Sequence, residues 1–213
     1  LGIGTGNDFT IDHDGSHTTL QNSTGNLYIR NYTDDGDIIF QSDNGSGGIA
    51  TYFSLDGSLA DGTYNYTKWP DYSIACFGSS NDLCIWHDSS NSYIRQVGTG
   101  DLIIENITND KDIILKSDNG SGGTTAYLTL DGTNVRTKFH KNVNLEDDVQ
   151  LQIGNSQDLK LYHSGTHSYI SQEGVGNLYI QTLTDDGDII FMSDDGSGSV
   201  EEYFRLDGSR GGA

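Results

Sequence analysis

The chain of 213 residues carries 11 lysine and arginine residues against 31 aspartate and glutamate residues, a formal net charge of −20 at pH 7. This negative excess repels phosphate backbones and anionic membrane surfaces, which excludes nucleic-acid binding through a basic patch. No stretch approaches the roughly 18 apolar residues of a membrane-spanning helix, so membrane insertion is not expected. The apolar residues suffice for folding, but only around thin cores.

Along the chain, one unit of about 75 residues occurs three times, which is typical of a repeat protein. Residues 78–87 (GSSNDLCIWH) return as residues 154–163 (GNSQDLKLYH) and, more loosely, as residues 4–13. Each unit continues through a Gly-x-Leu-x-Ile motif and an Asp-Ile-Ile motif. It closes on Leu-Asp-Gly, at residues 55–57, 130–132 and 206–208.

The repeats predict units at 1–57, 76–132 and 151–208, linkers at 58–75 and 133–150, and a tail at 209–213. The second linker is charged. The first is rich in aromatic residues, and two interpretations of it remain open. It forms either a small satellite core that packs one unit on the next or an exposed stacking surface for sugar rings. The residues concerned are Tyr64, Tyr66, Trp69 and Tyr72.

The apolar periodicity predicts strands. Residues 83–87 and their equivalents alternate apolar with polar side chains, as half-buried strands do, and residues 27–29 and 127–129 are similar. No segment of a dozen residues has helical spacing, and Asp-Gly, Asn-Gly and Ser-Gly turns separate the strands. We therefore predict an all-β chain with about five short strands in each unit.

Each predicted strand offers only two or three inward apolar side chains, too few for three independent cores. The expected inward rows are Leu83 with Ile85, Leu102 with Ile104, Ile113 with Ile114, and their equivalents. Either neighbouring repeats stack into an elongated β-solenoid-like shaft, or three chains intertwine as a trimeric fibre shaft.

The two cysteines, Cys76 and Cys84, make neither a disulfide framework nor a four-ligand zinc site. Cys84 occupies the position of Thr10 and Lys160 in the other units, where solvated side chains are expected. We therefore expect free thiols, with a local bridge as the alternative.

The succession of motifs resembles a known kind of repeat. Gly-x-Ser-x-Asp-Leu-x-(Ile/Leu)-x-His, Ser-Tyr-Ile, Gly-x-Gly-x-Leu-x-Ile, Asp-Ile-Ile-x-x-Ser-Asp and Leu-Asp-Gly are similar to repeats of tail-fibre-like structural proteins from phages of marine cyanobacteria and related marine bacteria. The resemblance covers nearly the whole chain and is strongest from residue 77 to residue 208. It implies a virion appendage, commonly a homotrimer, that contacts other virion proteins and the host surface, where a glycan is a possible receptor.

Three histidines, His13, His87 and His163, occupy one repeat position. In a trimer, copies of each would converge on the axis and offer imidazole rings to a transition metal. The alternative is a strand-end histidine hydrogen-bonded to a neighbouring turn. Calcium is a further candidate because Asp-rich loops such as residues 34–37 recur, although no EF-hand loop is present and turn formation accounts for most of these aspartates.

No catalytic motif is recognisable, and acidic residues that recur in every unit fit structural turns better than one active site. We therefore expect no enzymatic activity. The sequence favours a non-enzymatic β-repeat module of a phage tail fibre or similar virion appendage, which supplies a rigid shaft and host-surface contact. The alternative is a secreted carbohydrate-binding adhesin, with Ca²⁺ as a possible stabiliser.

Overall fold

The computed structural model describes residues 1–210, which form seventeen short β-strands and a single 3₁₀ turn at Gly208–Arg210. No α-helix occurs among these residues, so the expectation of an all-β chain is confirmed. None of their helical segments has the length and apolar character to cross a membrane. In chain order the strands are β1 (Gly2–Ile3), β2 (Phe9–His13), β3 (Thr18–Asn22), β4 (Ile38–Asp43), β5 (Ile49–Asp56), β6 (Tyr66–Lys68), β7 (Ala75–Phe77), β8 (Leu83–His87), β9 (Ser92–Gln96), β10 (Ile113–Asp118), β11 (Thr124–Asp131), β12 (Arg136–Phe139), β13 (Leu151–Ile153), β14 (Leu159–His163), β15 (Ser168–Gln172), β16 (Ile189–Asp194) and β17 (Val200–Leu206).

The strands pair only with their neighbours in sequence, and every pairing is antiparallel. Three leading sheets have the orders β1-β2-β3, β7-β8-β9 and β13-β14-β15. Three closing sheets, whose second strand leads into Leu-Asp-Gly, have the orders β4-β5-β6, β10-β11-β12 and β16-β17. Each sequence unit thus contributes five strands, as predicted, and the two linkers add β6 and β12.

The chain divides into two compact units. The first comprises residues 1–104 and contains β1 to β9, and the second begins at residue 105 and contains β10 to β17. The division falls inside the second sequence unit, between its leading and its closing sheet.

Aromatic pairs across neighbouring strands fix the register of several sheets. Trp86 stacks on Tyr93 between β8 and β9, with ring centroids 4.5 Å apart. In the first closing sheet, Phe40, Phe53 and Trp69 form a continuous stack across β4, β5 and the end of β6, with spacings of 4.4 and 5.1 Å. Such pairs each stabilise a sheet by about 0.5–1.5 kcal/mol beyond their burial.

The glycine of Leu-Asp-Gly is required by a close approach of two backbone segments. A Cβ on Gly57 would lie 2.6 Å from the carbonyl oxygen of Gly36, and Gly132 and Gly208 face equivalent carbonyls. At the same point the Gly57 amide donates to the Asp37 carboxylate at 2.9 Å, a bond repeated at Asp112 and Asp188. This clamp joins the two ends of each β-hairpin in the closing sheets.

Almost nothing in the chain is buried. Within residues 1–210 the buried residues are Ser54, Asp56, Cys84, Thr129 and Asp131. The accessible surface is 17415 Å², whereas a compact chain of 23.1 kDa exposes roughly 9,700 Å². The thin cores expected from the sequence are therefore not completed by one chain.

Three predicted strands do not form within the chain. Residues 26–32, 101–107 and 177–183, called the open segments below, run without a turn or a bend and pair with no strand among residues 1–210. Leu102 and Ile104, expected as an inward row, are exposed there. The apolar alternation typical of a strand is present, but no strand within residues 1–210 pairs with these segments.

The expectation of free thiols is wrong, because Cys76 and Cys84 form a disulfide across β7 and β8. The two residues are direct register partners, with Cα atoms 4.2 Å apart. Side chains that point to the same face at directly paired positions lie within reach of each other, whether or not that face is solvated. The disulfide therefore links the edge strand β7 covalently to β8 in the second leading sheet.

Replacing both cysteines by serine should weaken this sheet. The disulfide closes a loop over a sequence separation of 8, for which chain entropy predicts a loss of about 2.5 kcal/mol. Hydrogen exchange of the Leu83–His87 amides should then accelerate by about 70-fold, and reductant should do the same to the wild-type chain. Unchanged exchange, or thiols that alkylate without reductant, would contradict the bridge.

Candidate functional site

The candidate site is the apolar face of the leading sheets. In the second of them, Ile85 of β8 lies between its register partners Ala75 and Ile94. Ile85 is 44% exposed and Ile94 is 62% exposed. Leu83, next along the same face, is only half-buried beside the exposed Phe77.

The third leading sheet repeats this arrangement, since Leu161 pairs with Leu151 on one side and Ile170 on the other. Leu151 and Ile170 are exposed. Leu83 with Ile85 and the equivalent Leu159 with Leu161 therefore lie on one face of their sheets, but in the single chain that face is open to solvent. The chemistry that this face supports is the burial of its apolar area against another apolar surface.

The expectation for Ile113 with Ile114 is wrong, because these residues are adjacent in β10 and lie on opposite faces, and Ile114 is exposed.

Each of the three candidate histidines ends the middle strand of a leading sheet and bonds the residue directly opposite. Nδ1 of His13 lies 3.3 Å from Thr18 Oγ1. Nδ1 of His87 lies 3.1 Å from Ser92 Oγ. Nδ1 of His163 lies 3.0 Å from Ser168 Oγ.

The partner of each histidine is thus a hydroxyl on the adjacent strand. In every unit this Ser or Thr lies five residues after the histidine, in the pattern His-x-x-x-x-Ser/Thr. Nε2 is left for a further partner. Within residues 1–210 no three His, Cys, Asp or Glu side chains gather as a metal site. A metal held by histidines from several chains stays a prediction.

In the Asp-rich loop at residues 34–37, Asp37 accepts from the distant Gly57 amide, whereas the aspartates of the hairpin turns bond backbone amides of their own turns. Asp43 accepts from the Gly45 amide at 2.8 Å, and Asn44 accepts from the amides of Ser46 and Gly48 at 2.8 and 3.0 Å. The hairpins after β10 and β16 repeat the pattern. These turns use side-chain oxygens that a cation would need, and calcium binding remains an untested prediction.

Two of the three Leu-Asp-Gly aspartates, Asp56 and Asp131, are the buried charged residues among residues 1–210, although their sequence motif indicates only a turn. Asp131 is 4% exposed and bonds Lys138, Asn134 and Arg136, the last at 3.4 Å. The Lys138 ammonium, followed by Asn134, holds the pKa of Asp131 far below its usual range.

Asp56 is the equivalent in the first closing sheet. Ser58 donates to it at 2.8 Å and Lys68 Nζ lies 3.6 Å away, and the hydrogen bond from Ser58 is the main cause that lowers the pKa of Asp56. A cation on the next strand, at Lys68 or Lys138, is the signal that would have identified these ion pairs from sequence.

The four aromatic residues of the first linker do not form a satellite core. Tyr64, Tyr66, Trp69 and Tyr72 are all exposed. Tyr66 belongs to β6, while the Tyr72 amide donates to the His87 carbonyl at 2.8 Å and extends the second leading sheet.

Of these four, Trp69 faces an apolar concavity of about 750 Å³. Its other main lining residues are Ile85, Trp86, Tyr93 and Ile94. The concavity shares four residues with the apolar face of the second leading sheet, namely Ala75, Phe77, Ile85 and Ile94. Its size is in the range of small-molecule sites, and its wall is predominantly aromatic and aliphatic.

Comparisons of the chain with protein-family models, with curated proteins and with solved structures find no match. The assignment of a function therefore depends on the surface described above and on the residues of the repeats.

Neutralising Asp131 should remove a pH-dependent part of the stability. A carboxylate with a depressed pKa in the folded chain stabilises it above the ordinary pKa near 4. That contribution is lost as the pH falls below about 4 toward the depressed pKa of Asp131, because the carboxylate then becomes protonated in the folded chain as well. Asp131→Asn should therefore lower the melting temperature at pH 7, and the gap to wild type should shrink below about pH 4.

The control is Glu146→Gln in the exposed second linker, which removes the same charge and should leave the melting curve unchanged at both pH values. A gap between Asp131→Asn and wild type that stays constant with pH would show that Asp131 acts through shape alone.

Proposed function

We propose that this chain is a non-enzymatic structural module of a phage tail fibre or similar virion appendage, in which three copies assemble into a rigid shaft that contacts the host surface. The observation that carries the proposal is the size of the total exposed surface, on which apolar side chains such as Ile85, Ile94 and Ile104 are exposed. The chain exposes 17415 Å², an excess of roughly 7,700 Å² over a compact protein of its mass. Obligate interfaces between subunits bury 2,000–5,000 Å² or more, so an obligate assembly accounts for an excess of this size.

The resemblance to tail-fibre-like repeats supports three as the number of chains and the virion as the location. The disulfide between Cys76 and Cys84 fits the same location, because such bridges persist on virion and cell surfaces and in other oxidising environments. Whether the chains stack as solenoid-like rungs or intertwine, the apolar faces of the leading sheets supply the seam. Repetition of one sheet pair along the chain supplies stiffness.

The oligomeric state tests this proposal directly. Sedimentation-velocity ultracentrifugation of the chain, whose mass is 23.1 kDa, should give a particle of three times that mass. Ile85→Asp places a carboxylate on the apolar face and should abolish assembly, because burying an unpaired charge costs several kcal/mol.

Asn91→Asp is the matched control, since it adds the same charge to an exposed turn of the same sheet and should leave the trimer intact. A wild-type monomer would refute the assembly, and a trimeric Ile85→Asp variant would remove this face from the interface.

A carbohydrate-binding adhesin is the second candidate, and the concavity lined by Trp69, Trp86 and Tyr93 favours it. Exposed aromatic rings stack on the apolar faces of sugars. Trp69→Ala should abolish binding to a glycan array while Trp69→Phe, which keeps a ring against Phe53, retains part of it. If the wild-type chain binds no glycan on the array, the carbohydrate-binding function is ruled out.

A further inference from the structure

We infer that the three open segments, residues 26–32, 101–107 and 177–183, are intermolecular β-strands that pair with another copy of this chain. The inference rests on the proposed function and identifies which parts of the backbone hold the copies together. It also names the chemistry of the contact, which is main-chain hydrogen bonding with burial of apolar side chains on both faces of the added strand.

The three segments have the same apolar pattern and the same exposure. Four positions in each are aliphatic or aromatic in all three copies. At the third of these positions, Ile29, Ile104 and Ile180 are 61%, 65% and 58% exposed. The other positions hold Leu27, Tyr28 and Tyr32, then Leu102, Ile103 and Ile107, then Leu178, Tyr179 and Leu183, and every one of these residues is exposed.

The backbone of the open segments is unpaired within the part of the chain that the structure describes. No backbone–backbone hydrogen bond within residues 1–210 involves residues 26–32, 101–107 or 177–183. Two of the segments are held near their C-terminal ends by side-chain hydrogen bonds. The side-chain amides of Asn31 and Asn106 donate to the backbone carbonyls of Asp37 and Asp112 at 3.0 and 3.1 Å. Each segment is thus an unpaired strand edge, the kind of backbone that recruits another strand.

Repetition and charge identify the occupant as a second copy. A partner that satisfies all three segments at once must present its own complement three times along its length, as another copy of the same chain does. Only Arg30, Asp101 and Glu105 are charged among the open-segment residues, although the chain as a whole has a net charge of −20. Chains that repel one another elsewhere can approach closely along these segments.

Proline substitution tests the inference, because proline removes the backbone donor that an intermolecular ladder needs. The triple variant Ile29→Pro, Ile104→Pro, Ile180→Pro changes no charge and breaks no backbone hydrogen bond of the single chain. We expect it to sediment with the mass of one chain. Its far-UV circular dichroism should match that of a wild-type chain diluted to the monomer.

The matched control places three prolines at the turns that follow the open segments, as Asp34→Pro, Asn109→Pro and Asp185→Pro. In each turn the next residue has positive φ, at 58°, 57° and 55° for Asp35, Asp110 and Asp186. Proline is favoured at the preceding position of such turns. This control should remain trimeric.

Hydrogen exchange of the wild-type assembly gives a second readout. Amides of residues 26–32, 101–107 and 177–183 should exchange at least about 100-fold more slowly in the trimer than in the monomer. A trimer with unprotected open segments, or a trimeric triple-proline variant, would overturn this inference and leave the proposed function standing. A wild-type chain that is monomeric at all concentrations would overturn both.

Discussion

The constraint on which this structure depends is that its sheets are too small to cover themselves. A meander of two or three strands, each two to eight residues long, has two faces and no second layer within the same sheet. Ile85 and Ile94 illustrate the result, since they pack against each other across β8 and β9 and are still exposed above the sheet. Because a sheet buries its apolar face only against another layer, most of the hydrophobic free energy remains to be gained outside the single chain.

Local polar contacts therefore contribute an unusually large part of what holds the strands of each sheet together. The Asp37 carboxylate bonds the Gly57 amide across the hairpin, and Asn44 closes the turn at its tip with two amides. Asp131 anchors the next closing sheet through Lys138. Hydrogen bonds to charged groups are stronger than those between neutral groups. Repeated in every unit, they hold the strand register within the single chain, so that the exposed rows lie in fixed positions.

The sequence predicts what is local and leaves open what depends on a partner. Alternation of apolar residues places β8 and β14 correctly, because a strand with one apolar face has an unmistakable period of two. The same alternation at residues 27–29 predicts a strand that the single chain does not pair, since periodicity reports the shape of a segment and not the identity of its neighbour. The Cys76–Cys84 bridge was missed for a related reason. Comparison with Thr10 and Lys160 shows which face Cys84 occupies, but only the register of β7 against β8 shows that another cysteine lies beside it.

The acidic charge opposes the association of chains and the exposed apolar area favours it. Which effect dominates depends on where the two lie on the surface. Many aspartates lie in the turns, where backbone amides bind them as at Asp43 and Asp118. The open segments and the apolar faces of the leading sheets are nearly free of charge. At the screening length of about 8 Å in physiological salt, repulsion between turns a few strands apart is largely suppressed. Repulsion at direct contact is not. If copies of the chain pair along the open segments as proposed, contact there avoids this repulsion, while the acidic turns oppose the unspecific edge-to-edge aggregation that exposed strands invite.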